Sequence, residues 1–180
     1  MANDKVVTLE IPVSFWPFLA SVHNQHNITV NTKDQTIIAL DPGETTGVAE
    51  FDGLKDIKVY QRETKNIGQS YDWLEKQLDY DPRMQSGFDH LRIEDYRIYD
   101  WKSTDHSWSP VHTLRWIGAI QVAAHVKGIP LSFCMAQHAK GFWTDSKLKH
   151  FDLYPTGLKH GKDALRHLLY YMLYPTKVDH

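Results

Sequence analysis

One run constrains this chain more than any other: Thr36-Ile37-Ile38-Ala39-Leu40, closed by Asp41 and followed by Pro42-Gly43. Successive β-favouring and apolar residues without polar alternation read as a strand buried on both faces. Pro-Gly ends it, because proline cannot donate to a sheet ladder and glycine suits a turn. The chain therefore has a central strand that carries an acid at its end. Gly47-Val48-Ala49-Glu50-Phe51 and Ile57-Lys58-Val59-Tyr60-Gln61 follow at hairpin distance, with the antiparallel turn signal Asp52-Gly53 between them. These three strands are expected to form a meander.

Beyond the meander the periodicity changes. Residues 70–78 have helical spacing with Tyr71, Leu74 and Leu78 on one side, and Leu91-Arg92-Ile93-Glu94-Asp95-Tyr96 reads as a strand carrying acids. Residues 111–126 form a helix with Leu114, Ile117, Ala119, Ile120, Val122 and Ala123 apolar, stopped by Lys127-Gly128 and Pro130. A strand at 131–134 and a last helix at about 159–173, striped by Ala164, Leu165, Leu168, Leu169 and Met172, complete the pattern. The reading is an α/β fold with a mixed five-stranded sheet, its first three strands antiparallel, flanked by helices. Residues 1–33 read as a small N-terminal extension: the alternating run Val6-Val7-Thr8-Leu9-Glu10-Ile11 predicts a strand, and Phe15-Trp16-Pro17-Phe18-Leu19 a short helix. Residues 34–180 are expected to be one domain.

Composition narrows the function classes. A chain of 180 residues, 42% hydrophobic and 23% charged, can bury a core and is not a disordered chain. No apolar run reaches the roughly 18–20 residues that cross a bilayer, and the N-terminus lacks a secretory pattern, so no membrane partner and a cytoplasmic location are expected. Cys134 is the only cysteine, which excludes an intramolecular disulfide and a cysteine-rich zinc site. A net charge of -2 argues against indiscriminate nucleic-acid binding; phosphate contacts would need a local basic face.

Three acids stand where elements end or begin: Asp41, Glu94 and Asp163, the last in the first turns of the final helix. At about 100° per residue, His160, Asp163 and His167 fall within about 60° of one another on that helix. Converging carboxylates of this kind hold divalent cations while leaving positions open for water and phosphate oxygens. Each acid also has a plain structural reading: a turn former before Pro-Gly, a strand-end charge, a helix-start acid favoured by the dipole. Asp95 is an alternative ligand to Glu94.

The ordered set Asp41-Pro42-Gly43-Glu44-Thr45-Thr46-Gly47, Ile93-Glu94-Asp95-Tyr96 and His160-Gly161-Lys162-Asp163-Ala164 resembles the three acidic motifs of RuvC-type Holliday junction resolvases, especially the bacteriophage-like ones. The resemblance runs over roughly residues 36–173 and includes Tyr99-Asp100-Trp101-Lys102 and Lys140-Gly141-Phe142-Trp143-Thr144-Asp145. It implies an RNase H-like fold, a homodimer, two Mg²⁺ or Mn²⁺ ions, and paired nicks in branched DNA within a bacterial or phage-infected cytoplasm. It carries Asp41, Glu94 and Asp163 over as metal ligands and catalytic residues. His160 falls where the family has a fourth acid or a histidine, to ligate an ion or position water; an imidazole alone on one ion would favour Mn²⁺. The reaction implied is in-line attack of water on a phosphodiester, with His160 or His167 available for proton transfer.

Mixed basic and aromatic segments supply candidate nucleic-acid contacts: Trp101 and Lys102 in the loop at 97–110, Lys140, Phe142, Trp143 and Lys147 in 140–149, and Lys162 beside the final acid. Any one of these tryptophans is also a candidate for the core. Three rival readings fit the same residues. Asp-x-Gly-x-Thr-Thr-Gly is also similar to the first phosphate loop of actin- and hexokinase-type ATPases, although those need two such domains. An RNase H-like nuclease acting on forks, other branched DNA or RNA is the second. A non-catalytic nucleic-acid scaffold is the third.

Overall fold

The structure, a computed structural model, describes residues 5–79, 87–96 and 108–175. In chain order its elements are β1 (Val6–Glu10), α1 (Phe15–Gln25), β2 (Thr36–Asp41), β3 (Thr45–Asp52), β4 (Asp56–Glu63), α2 (Ile67–Leu78), β5 (His90–Asp95), α3 (Trp108–Lys127), β6 (Leu131–Met135), α4 (Ala136–Phe142), α5 (Asp145–His150) and α6 (Lys159–Leu173).

The strands make one sheet in the order β1-β4-β3-β2-β5-β6. β2, β3 and β4 form the expected antiparallel meander, while β5 lies parallel to β2 and β6 parallel to β5. Every residue of β2 is buried, as its unbroken apolar run requires. The turn between β3 and β4 rests on Asp52, whose Oδ1 accepts from the backbone N–H groups of Leu54, Lys55 and Asp56 at 2.8–3.0 Å, with Gly53 at φ +75°. Gly128, at φ +66°, closes α3 where the Lys-Gly signal placed its end.

The sheet has six strands where five were expected. The sixth is β1, which pairs antiparallel with β4 from Val6↔Tyr60 to Glu10↔Asp56. Its alternation leaves one side on the core, through Val7 and Leu9, and the other in solvent, as suits an edge strand. α1 is likewise built into the core: Phe15 is fully buried and stacks on Trp143 with ring centroids 6.0 Å apart.

Strand alternation divides the interior in two. Ile38, Leu40, Val48, Leu91 and Ile93 pack under α2 and α3 with Leu74, Trp116 and Ile120. Ile37, Ala39, Ala49, Phe51 and Val59 pack on the other face under α6, with Leu165, Leu168 and Leu169. No helix among the described residues is long and apolar enough to cross a membrane.

Candidate active site

The same alternation decides where the acids point. Asp41 shares the parity of Ile37 and Ala39, and Glu94 that of His90 and Arg92, so both project to the α6 face while Asp95 takes the opposite side. β2 and β5 run parallel with Leu40 beside Ile93, which makes Asp41 and Glu94 neighbours at the same end of adjacent strands. α6 crosses this face and contacts β3, β2, β4 and β5.

Two glycines let the helix come down onto the sheet. A Cβ at Gly47 would stand 1.9 Å from the carbonyl oxygen of His160, and one at Gly161 would stand 2.9 Å from that of Tyr60. The final glycine of the Asp41–Gly47 motif is therefore a packing requirement, because only a bare backbone admits the α6 N-terminus. With the helix seated there, His160 Nδ1 lies 2.9 Å from Asp41 Oδ2, and His167 Nε2 lies 2.9 Å from Glu94 Oε2. The helical face read as one patch in the sequence meets the acids of two strands.

Lys140 of α4 enters between them. Its Nζ is 3.3 Å from Glu94 Oε2 and 3.1 Å from Asp163 Oδ2. Asp163 is held from its other oxygen by Arg166, whose Nη1 donates to Oδ1 at 2.6 Å. Arg166 also donates from Nε to the Trp143 carbonyl at 2.8 Å and from Nη2 to Asp145. Asp145 receives Lys162 Nζ at 3.1 Å as well.

The electrostatics follow from this crowding. Burial lifts the Asp41 carboxyl above the ordinary range; the His160 hydrogen bond and Lys140 lower it, but Glu94 and Asp163 add to the rise. Burial also works to raise Glu94, yet the His167 hydrogen bond and charge together with Lys140 bring it down to about 2. The hydrogen bond to Asp41 raises the His160 imidazole. Burial opposes the Lys140 ammonium, and the combined fields of Glu94, Asp163 and Asp41 outweigh it and raise its pKa.

The structure thus brings Asp41, Glu94, Asp163 and His160 into one neighbourhood. Among the described residues no three Asp, Glu, His or Cys side chains stand close enough to ligate one ion as they are, with the Lys140 ammonium lying between Glu94 and Asp163. The donor set fits a hard divalent cation: carboxylate oxygens and an imidazole, already gathered around a positive charge.

Several expected nucleic-acid contacts sit elsewhere. Trp143 is fully buried and belongs to the aromatic core with Phe15, Phe18 and Phe151, a correction to its reading as a nucleic-acid contact. Lys140 lies inside the acidic cluster, and Lys162 is engaged with Asp145 and Tyr154. Lys147 keeps its ammonium 3.6 Å from the centre of the partly buried Phe142 ring. Trp101 and Lys102 lie outside the described residues. His167, considered for proton transfer, is fully buried behind Glu94. The Arg166–Asp145 clamp was not anticipated: the i, i+3 spacing of Asp163 and Arg166 was legible, but nothing local announces Asp145.

No protein-family model matches the sequence, and no curated protein does. Solved structures do. A structure of Thermus thermophilus RuvC in complex with a Holliday junction substrate superposes with a TM-score of 0.56 at 18% identity, covering 78% of this chain and 94% of that one. A second Thermus thermophilus RuvC structure gives 0.53 at 18%, covering 78% and 95%. The chain has the RuvC fold. At this identity the likeness speaks for the fold alone, and that fold is the RNase H-like arrangement of mixed sheet and flanking helices expected from the sequence.

Proposed function

We propose that this protein is a divalent-metal-dependent endonuclease that resolves four-way DNA junctions by paired phosphodiester hydrolysis. One observation carries the reading: on a RuvC fold, Asp41 and Glu94 end adjacent parallel strands and face Asp163 and His160 across the seat of α6. Asp41, Glu94, Asp163 and His160 would hold Mg²⁺ or Mn²⁺. Such ions supply charge that activates water and stabilises the leaving 3′ oxygen.

The chain's own groups account for the remaining work. His167 fixes the orientation of Glu94 from behind and is closed to solvent, so its role is positioning. His160 is tied through Nδ1 to Asp41 while its side chain stays 38% exposed, leaving Nε2 for a proton or a ligand bond.

Paired nicking calls for two sites related by a dyad, hence a homodimer. The exposed apolar residues Val111, Leu114, Val122 and Val126 on α3 support that helix as its interface. One observation favours a second reading, a scaffold that binds branched DNA without cutting: Lys140 and Arg166 already satisfy Asp163.

Incubation with labelled four-way junction, fork, linear duplex and RNA–DNA hybrid, each with Mg²⁺, Mn²⁺ or EDTA, separates the readings. Symmetric nicks confined to the junction and dependent on the ion are expected. Asp41→Asn and Asp163→Asn should stop cleavage while junction binding survives. Binding without metal-dependent cutting on any substrate would leave the scaffold, and cutting of forks or hybrids in preference to junctions would move the substrate.

A further inference from the structure

We infer that Lys162, Arg166 and Tyr154 form a cradle for one backbone phosphate of DNA, and that the Asp145 carboxylate fills it as an anionic stand-in which the phosphate displaces. The inference rests on the reading above of this chain as acting on DNA, and it names one contact of that same site.

Three donors meet on one carboxylate. Lys162 Nζ reaches Asp145 Oδ2 at 3.1 Å, and the Tyr154 hydroxyl donates to the same oxygen at 3.3 Å while accepting from Lys162 at 3.2 Å. Arg166 Nη2 donates to the other oxygen, Oδ1. The donors are the recessed members of this group: the Lys162 and Arg166 side chains are 17% and 12% exposed, against 45% for Asp145. They are also placed by contacts other than Asp145. Arg166 is tied through Nε to the Trp143 carbonyl at 2.8 Å and through Nη1 to Asp163 at 2.6 Å, and the Lys162 ammonium lies 4.8 Å from the centre of the Tyr154 ring. Asp145 lacks any such second tie, since among the described residues its carboxylate bonds these three groups alone. Nor does α5 need it as a cap, because Thr144 Oγ1 accepts from the Lys147 N–H at 3.3 Å.

Fixed donors closed by an exposed acceptor make an anion site whose anion the chain itself supplies. A phosphodiester carries the same single charge and offers two oxygens to the same guanidinium fork and ammonium. Displacement costs little on the Asp145 side, because an exposed carboxylate regains water as it leaves. The guanidinium that holds Asp145 through Nη2 holds Asp163 through Nη1, so a phosphate in the cradle sits one side chain away from the acidic cluster. It would fix the strand beside the linkage that faces the acids.

The test measures binding of a labelled four-way junction in EDTA, where metal-dependent cutting does not intervene. Asp145→Asn keeps the side-chain shape and removes its charge, and should bind roughly fivefold tighter than wild type at low salt, the scale of an exposed ion pair that no longer has to open. Lys162→Gln should bind more weakly, with a slope of log affinity against log salt shallower by about one contact. In the Lys162→Gln background the gain from Asp145→Asn should shrink to about twofold or less. Asp152→Asn controls for charge alone: it removes an exposed acid just beyond the other end of α5, at φ +55° where asparagine is well tolerated, and should change affinity by less than about twofold. Junctions with a neutral methylphosphonate at successive linkages should lose the Asp145→Asn gain at one of them. Circular dichroism checks the fold of each variant. Binding by Asp145→Asn no tighter than wild type, as expected of an acid that only braces Arg166, would overturn the inference. So would an equal gain from Asp152→Asn, a gain undiminished by Lys162→Gln, or one kept with every methylphosphonate. Absence of DNA binding in every form, wild type included, would instead overturn the DNA reading on which it rests.

Discussion

His90 shows how much one residue can say about acid stability. It lies on the α6 face of β5, stacked on Tyr171 with centroids 4.0 Å apart, and its Nε2 is 2.6 Å from Ser132 Oγ. Arg92, fully buried, shares that hydroxyl through Nη1 at 2.8 Å and leaves Nε and Nη2 without a protein partner. Burial first, and the Arg92 charge second, push the His90 imidazole down to about 4. The folded protein therefore keeps His90 neutral where an unfolded chain would already have bound a proton. Its contribution is complete above about pH 6.5 and is lost as pH falls toward 4, by about 3 kcal/mol in all. Glu94 works in a separate window: with its carboxyl at about 2, its contribution is held above the ordinary glutamate value and lost only as pH falls from about 4.5 toward 2. Urea unfolding at pH 7 and pH 4.5 should show wild type losing more stability on acidification than His90→Gln does. Equal losses in the two proteins would mean that His90 does not carry this titration.

At the scale of elements, the decisive contact is between α6 and the meander. Gly47→Ala would place a methyl group against the His160 backbone, and main chain cannot swing aside as a side-chain end can. It should cost about 3 kcal/mol or more and displace His160 and Asp163 together. Gly118→Ala in α3 meets nothing within 4 Å and should stabilise by about 0.5–1 kcal/mol through helix propensity. Denaturation midpoints of the two variants moving in the same direction would refute this account. The contrast also explains what the sequence could disclose. β2, the meander, α6 and the parity of Asp41 and Glu94 follow from local periodicity, because a doubly buried strand and a striped helix each leave a pattern in the chain. α4 and α5 left none, being seven and six residues long and lacking a full apolar repeat. Hence Lys140 and Trp143 read alike as a basic-aromatic surface, although one lies among the acids and the other in the core. Nor does alternation in β1 say which strand it will pair with; that is a tertiary choice.

For the whole molecule the outer face of α3 bears on assembly. Its inner side is filled by Trp116, Ile120, Ala123 and Ala124 against the sheet. Its outer side shows Val111 at 45%, Leu114 at 42%, Val122 at 56% and Val126 at 65% exposure, with clear space over Gly118 between them. An exposed apolar stripe on a helix marks an interaction surface, and here Arg115, Gln121 and His125 stand among the apolar residues. The helix is 20 residues, about 30 Å at 1.5 Å per residue, so two copies packed through this face could bury the stripe on both chains by one dyad contact. That arrangement would give a symmetric protein two active sites for the two strands of a symmetric junction. Light scattering on the eluting protein should therefore give twice the 20.9 kDa chain mass. Val122→Lys, placed on the solvent side where it disturbs no core contact, should elute at the single-chain mass with an unchanged circular dichroism spectrum. Its junction products should shift from paired to single nicks, because each chain retains its own acids. A Val122→Lys protein that remained a dimer would move the interface elsewhere, and a monomeric wild type would remove the dyad on which paired cleavage depends.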